Sequence, residues 1–353
     1  MQACFMTGFP GFISSRLLKA LQERHPHAAF ILLVHPSQLE KAERLVQNFA
    51  NVRILRGDIT DPKLGLSDEQ LEELIKNVTH VFHLAAVYDL AVPKALAEKV
   101  NVEGTDHVNR FVRSLEKLER YIYFSTAYVS GDRTGIIKED ELDVGQGFKN
   151  HYEATKFAAE KLVRDLRDVP VTIIRPGIVV GDSVTGETAK FDGPYFIMRF
   201  LDRMGRLPVA YIGKAEAPLN VVPVDYIVKA VLYLSETDKA IHRTFHLTDP
   251  SPYRSRDVFR MICEAQLGKT PSWTIAPSLV KALLSFSALR RFYGVEKEAL
   301  DYFRATCHYD TTHARRVLAE GGIFCPDFKD YVQRIVDYYK QHRHDPEKNI
   351  PIA

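Results

Sequence analysis

Tyr152 and Lys156 stand four residues apart in NHYEATKFAAEKL, a stretch that reads as an amphipathic helix from about Asn150 to Leu166. That spacing puts a phenol and an ammonium one turn apart on one helix face. A free phenol, with a pKa near 10, is a poor acid at neutral pH, and a neighbouring ammonium would lower that value by stabilising the phenolate. Thr126, at the end of the apolar run RYIYFST, adds a hydroxyl. As hydride reaches a carbonyl carbon, charge grows on the oxygen, and a phenolic proton with a hydroxyl beside it can stabilise that charge. Lys156 would also hold the ribose of a nicotinamide. With 16 tyrosines in the chain, about one such pair arises by chance, so the surrounding elements have to decide.

Six apolar runs, ACFMT, AFILLVH, NVRILRGD, HVFHLAA, RYIYFST and VTIIRP, alternate with amphipathic segments. The segments are a helix after Ile13, one from Leu39 to Ala50, one opening at Ser67 with Gln70 at capping-box spacing, one from Pro93 to about Leu115, and the helix of Tyr152. This alternation predicts an α/β fold, a doubly wound parallel sheet of Rossmann type. Gly8 and Gly11 fall in the first strand-to-helix turn, where missing side chains let a diphosphate approach helix amides. Thr7, Gly8, Phe9, Pro10 and Gly11, continuing into Phe12 and Ile13, are the predicted dinucleotide turn. The third small position is Ser14, tolerable if the helix packs slightly farther from the strand.

At the end of the second strand, an acidic residue would receive a ribose 2′-hydroxyl. Here the chain reads Val34, His35, Pro36, Ser37, with Lys41 and Arg44 beyond Glu40. A 2′-phosphate on His35 and Ser37 fits better, so NADP(H) is favoured over NAD(H). Asp58 and Ile59, in RGDITDP, are placed against the adenine, although Asp58 would serve equally as a cap. His83 reads as a buried structural histidine. Asn101 reads as ordering water or backbone near the Lys156 ammonium.

After Arg175, Pro176 and Gly177 the alternation breaks into the loop GDSVTGETAKFDGPYF. VVPVDYIVKAVLYL and TFHLTD could return a helix and a strand to the sheet. The predicted division is a dinucleotide domain over 1–180, rejoined by 220–248, and a mostly helical substrate lobe over 181–219 and 249–353. In the later part SLVKALLSFSALRRF is apolar enough on one face to dock on the main domain. Phe191, Pro194 and Tyr195, with Tyr88 facing them and Met198 behind, are the predicted substrate wall.

The 47 basic and 45 acidic side chains leave a net charge of +2, too small a field to draw in nucleic acid or an anionic membrane. Cys4, Cys263, Cys307 and Cys325 form no metal-ligand spacing, so no metal is expected, and they fit a reducing compartment. A strand begins almost at Met1 with no basic leader, and no apolar run is long enough to span a bilayer. A cytoplasmic protein is expected.

The glycine turn, Asp58, HLAA, NVEGT, FSTAY, YxxxK and RPG arrive in one order, each at a strand end or on a flanking helix. In this the chain resembles the extended short-chain dehydrogenase/reductase family over residues 3 to 250. GDITDPKLGLS, VFHLAAVYDL, HYEATKFAAEKLV and IIRPGIVVGDSVTGE are similar to its thioester reductase and fatty acyl reductase branch. The resemblance implies NADPH-dependent reduction of an acyl thioester or an aldehyde, with Thr126, Tyr152 and Lys156 catalytic. It implies that Leu84, Ala85 and Ala86 line the cofactor cleft and that Pro176, Gly177, Ile178 and Val179 face the nicotinamide. It also implies a homodimer through the helices at 93–115 and 150–166. His35 departs from the arginine that branch often carries. With no adenylation or carrier segment read ahead of residue 3, a tethered acyl group is expected to come from another protein, and a free carbonyl compound is the other expected substrate class. Two further readings are a nucleotide-sugar epimerase or dehydratase and a non-catalytic NADP(H) sensor. RPGIVVG in place of an NVYGP-like run argues against the first, and the presence of both Tyr152 and Lys156 against the second.

Overall fold

The computed structural model describes residues 2–88, 92–204, 208–276 and 307–349. Strands β1 (Ala3–Thr7), β2 (Ala29–Val34), β3 (Val52–Arg56), β4 (His80–His83) and β5 (Arg120–Phe124) alternate with helices. These helices are α1 (Phe12–Arg24), α2 (Leu39–Val46), α3 (Asp68–Asn77), α4 (Lys94–Ala97) and α5 (Gly104–Ser114). There follow β6 (Gly135–Ile137), α6 (His151–Arg164), β7 (Val171–Pro176), β8 (Ile178–Val180), α7 (Tyr195–Met204), β9 (Ala210–Ile212), β10 (Val221–Pro223) and α8 (Val224–Glu236). The chain continues with β11 (Arg243–Leu247), α9 (Ser255–Leu267), β12 (Trp273–Ile275), β13 (Cys307–Tyr309), α10 (Thr312–Glu320) and α11 (Phe328–His342).

The main sheet is seven-stranded, in the order β11-β7-β5-β4-β1-β2-β3, with every pairing parallel. A sheet buried on both faces needs near-continuous apolar strands. β1, β4, β5 and β7 are accordingly buried at every position. One core lies between the sheet and α1 and α8, the other between the sheet and α3, α5 and α6. Strand order reverses between β1 and β4, which opens the crevice at the carboxyl ends of the strands where such sheets bind ligands.

All six predicted strands form, and the run from Val221 supplies α8 and then β11 as the seventh. The capping box at Ser67 and Gln70 is present. The single helix expected over 93–115 contains a π-helical turn at Glu98–Glu103, with Asn101 inside it. The lobe packs Phe191, Tyr195 and Met198 with residues of α9 and α11 in a third core. Its boundary at 249 needs correction, because Ala314, Val317 and Leu318 of α10 belong to the core of the sheet. The segment at 278–292 lies outside the described residues.

Candidate active site

The glycine turn is held by contacts that leave no room for a side chain. Gly8 has φ +83°, and a Cβ there would stand 2.6 Å from the Ala85 nitrogen. The Ser14 hydroxyl donates to the carbonyls of Gly8 (2.9 Å) and Gly11 (3.1 Å). The third small residue thus fastens the turn from inside, where a glycine could only fit. Gly11 caps α1 with no side-chain hydrogen bond, and the first turn carries no acidic residue. An uncapped amide end beside a Cβ-free cradle fits a dinucleotide diphosphate. Phe9 is buried, while Phe12 and Ile13 are half-buried on the α1 core. Thr7 accepts from the Ala85 amide (3.2 Å) and bonds His83 Nδ1 (2.7 Å), so β1 and β4 meet where Leu84, Ala85 and Ala86 leave the sheet. His83 also bonds Thr105 (3.1 Å), and burial holds its imidazole down to about 3, so it is a neutral structural residue.

On the other side of the crevice, Thr126 follows β5 and Tyr152 opens α6, with the Thr126 side chain close enough to act on the phenol. Burial pushes the Tyr152 phenol up to about 12, partly offset by Thr126. This corrects the expected lowering by Lys156. The Lys156 ammonium is directed inward, donating to the Tyr123 hydroxyl (3.1 Å) and the Phe124 carbonyl, with the Tyr123 ring 4.6 Å from Nζ. Burial lowers Lys156 to about 7, and Glu160 opposes that shift. The phenol therefore stays protonated at neutral pH, which a proton donor requires.

Asn101 accepts from the Val87 amide (2.8 Å) and donates to the Val87 carbonyl (3.0 Å) and Thr155 (3.0 Å). With its amide hydrogens committed to protein, it orders the backbone at the β4 exit against α6, and the cofactor contact also expected of it finds no free donor here. Pro176 is buried, and Gly177, Ile178 and Val179 are half-buried beyond β7, with the Ile178 amide donating to Asn220 (2.8 Å).

At the adenosine end, His35 bonds Ser37 (2.8 Å) and its Nε2 stands 3.7 Å from Asp58. The expectation that no carboxylate lies near the 2′ position is corrected, since the third-strand loop brings Asp58 beside the second strand. Asp58 also accepts from the Thr60 amide (2.8 Å), which closes a local turn; the next helix starts only at Asp68, so this is not the helix cap expected of it. Ile59 is buried against Gly104, so its side chain belongs to the core. Arg56, which the sequence pattern did not single out, ends β3 opposite Val34 with its side chain exposed.

The substrate wall also needs correction. Phe191 and Tyr195 are fully buried, with Phe191 packed edge-on against Tyr339 at 5.0 Å. Both rings face Tyr339 of α11, Phe191 from the loop before α7 and Tyr195 from its first residue. Tyr88 is exposed, and the Lys190 ammonium sits 5.7 Å from its ring centre. Sequence reasoning also missed Tyr123, Ser125, Glu160 and Arg175. Glu160, four residues after Lys156, and Tyr123, at β-alternation from Ser125, were the available signals.

The parallel sheet, the glycine turn and the Tyr/Lys pair at its edge together define an NAD(P)H-dependent oxidoreductase of the extended short-chain dehydrogenase/reductase type. The family model described as Male sterility protein, an NAD-binding family, matches residues 6–231, and the chain belongs to that family. It is 28% identical over 269 residues to a linear gramicidin synthase of Brevibacillus parabrevis, covering 71% of this chain and 5% of that protein. It is 30% identical over 262 residues to L-2-aminoadipate reductase of Saccharomyces cerevisiae, covering 65% of this chain and 18% of that protein. The chain thus spans a small part of the length of these relatives. In fold it matches the terminal R domain of the myxalamid PKS-NRPS biosynthetic pathway, with a TM-score of 0.82, 24% identity, and coverage of 99% of this chain and 93% of that one. Among the described residues no helix is long and apolar enough to cross a membrane.

Proposed function

We propose that the chain reduces an acyl thioester or aldehyde with NADPH, Tyr152 acting as the general acid. The observation that carries this reading is the buried Tyr152 phenol, held protonated beside Thr126, across the crevice from the cradle at Gly8 that admits no side chain. NADPH, when bound, supplies the hydride. Thr126 and Tyr152 stabilise charge on the carbonyl oxygen, and Tyr152 gives it the proton. Lys156 holds the nicotinamide ribose and provides positive charge beside the phenol as its proton leaves. His35 and Ser37 receive the 2′-phosphate. Similarity to a protein named L-2-aminoadipate reductase supports a thioester or carboxyl-derived substrate over a sugar nucleotide.

The test follows oxidation of NADPH and of NADH against acyl-CoA thioesters, aldehydes, ketones and UDP-sugars. Turnover of thioesters or aldehydes with NADPH preferred is expected. Turnover of UDP-sugars alone would replace the reading with an epimerase or dehydratase.

A further inference from the structure

Directly beneath the catalytic edge lies a buried ionic cluster with no part in the chemistry described above. Glu160 is fully buried and accepts four hydrogen bonds, from Ser125 Oγ (2.6 Å), Arg175 Nε (3.0 Å), Arg175 Nη2 (2.7 Å) and Arg164 Nε (3.0 Å). Its three partners come from different places: the end of β5, the end of β7 and the last turn of α6. Ser125 sits between Phe124, whose carbonyl accepts from Lys156, and Thr126, whose side chain acts on the Tyr152 phenol. Arg175 directly precedes Pro176 and Gly177. One carboxylate therefore fixes both strand ends that frame the nicotinamide side of the crevice. Glu160 also follows Lys156 by four residues, on the same helix face.

We propose that Glu160 is a positioning residue that supplies the counter-charge for the buried Lys156 ammonium and, through Ser125, holds the strand end that carries Thr126. The proposal rests on the reading of Lys156 as part of the reductase site. Among the described residues, the groups facing Lys156 make Glu160 the one available anion. From β5 come the neutral Tyr123 phenol and the Phe124 carbonyl, from β4 the neutral His83, and from α6 itself Tyr152. Burial alone would raise the Glu160 carboxyl, but Arg175, together with Arg164 and Ser125, brings it down to about 2, so it is charged throughout the working range. Around Glu160, His246 of β11 bonds Arg175 (3.1 Å) and is itself neutral, held down to about 3 by burial and by Arg175.

An opposite charge about one helical turn away raises an ammonium pKa by roughly one unit or more. Without it, Lys156 loses its proton at lower pH, and any step that needs the cation fails earlier as pH rises. The experiment compares the wild type with Glu160→Gln, Glu160→Asp and the double variant Glu160→Gln/Arg175→Met, which removes the ion pair whole and so avoids stranding a buried guanidinium. The first readout is the titration of Lys156 in protein with lysines isotopically labelled at Cε, assigned by loss of the signal in Lys156→Arg. The second is the pH profile of kcat/KM.

In the folded neutral variants the Lys156 midpoint and the alkaline limb should both move down by about one pH unit, a tenfold change in charged fraction. Glu160→Asp should restore most of the shift. A midpoint that coincides with wild type in folded Glu160→Gln, or in the double variant should the single one not fold, would overturn the proposal and leave Glu160 a purely structural tie. If no carbonyl compound is turned over at all, the reductase reading fails, and the titration still decides the role of Glu160.

Discussion

At the carboxyl ends of β5 and β7 the functional groups are buried, and each is held by several partners. At the carboxyl ends of β2 and β3 they stand in water and have one or two. Lys156 touches Tyr123 and Phe124 and is backed by Glu160, which itself accepts four hydrogen bonds. His35 has Ser37 and a 3.7 Å approach to Asp58, with more than half of its side chain exposed. The contrast suits the roles proposed for the two ends. Proton donation to a developing oxyanion needs fixed dipoles in a low-dielectric setting, where misplacement is costly. Recognition of a ribose substituent needs one or two groups that can be exchanged without disturbing a core.

The most disruptive way to probe the buried end is to break its ion pair. Arg175→Met leaves Glu160 with Arg164 and Ser125 only, and removing one partner of a buried pair costs about 3–5 kcal/mol. The lower end, about 3 kcal/mol, is expected because Arg164 remains, and thermal or urea unfolding measures it. The sign with pH is fixed. Glu160 is held below the ordinary carboxylate range, so its contribution is complete above that range and is lost as pH falls toward about 2. The gap between wild type and variant should narrow over that interval. A gap that is constant with pH would mean that the guanidinium stabilises by packing alone. No comparable loss should follow replacement of His35.

The phenol is the next test, and here stability should not change. Tyr152→Phe removes the phenolic hydroxyl and keeps the ring, and loss of a general acid slows turnover by at least about a hundredfold. Dinucleotide affinity, followed by fluorescence titration, should be unaltered. Turnover close to wild type would remove Tyr152 from the mechanism.

How far the sequence announced these two ends differs for the same physical reason. The sheet was legible because strands buried on both faces must be apolar throughout, as in ACFMT and VTIIRP. Gly8 was legible because a left-handed turn against the Ala85 nitrogen admits no side chain. Tyr152, Lys156 and Thr126 were singled out through their order along the chain, and the structure gathers them where β5 ends and α6 begins. Their supports were not, because Glu160 and Arg175 look like surface residues until α6 is laid over β5 and β7. Phe191 and Tyr195 were misplaced for the converse reason: aromatic letters near a cleft do not reveal which helix face turns inward. Asp58 beside His35 depends on the pairing of β2 with β3, a relation between strands that no local pattern carries.

Gly8 separates the two ends, and substitution there should weaken the whole dinucleotide. In Gly8→Ala a Cβ would meet the Ala85 nitrogen at 2.6 Å in a backbone region that L residues rarely adopt. Strain of about 1–3 kcal/mol is expected, seen as about tenfold or greater loss of affinity for NADPH and NADH alike. A loss confined to one of them would move the turn from the diphosphate to the adenosine end.

The exposed end should give the smallest effects and the most selective ones. Arg56 closes β3 next to the strand that carries His35, with no ion pair formed among the described residues. A guanidinium there can add one charge-assisted hydrogen bond to a 2′-phosphate, worth about 1.5 kcal/mol or less once solvent screens it. Arg56→Ala should therefore weaken NADPH several-fold and leave NADH untouched, while His35→Asp, which adds a second carboxylate next to Asp58, should shift the preference toward NADH by repelling the phosphate. Both are read from the ratio of the two affinities. If Arg56→Ala lowers both equally, the arginine serves the strand end. If His35→Asp leaves the ratio unchanged, the 2′-phosphate lies elsewhere, and selectivity would have to come from groups as deeply fixed as those at the catalytic end.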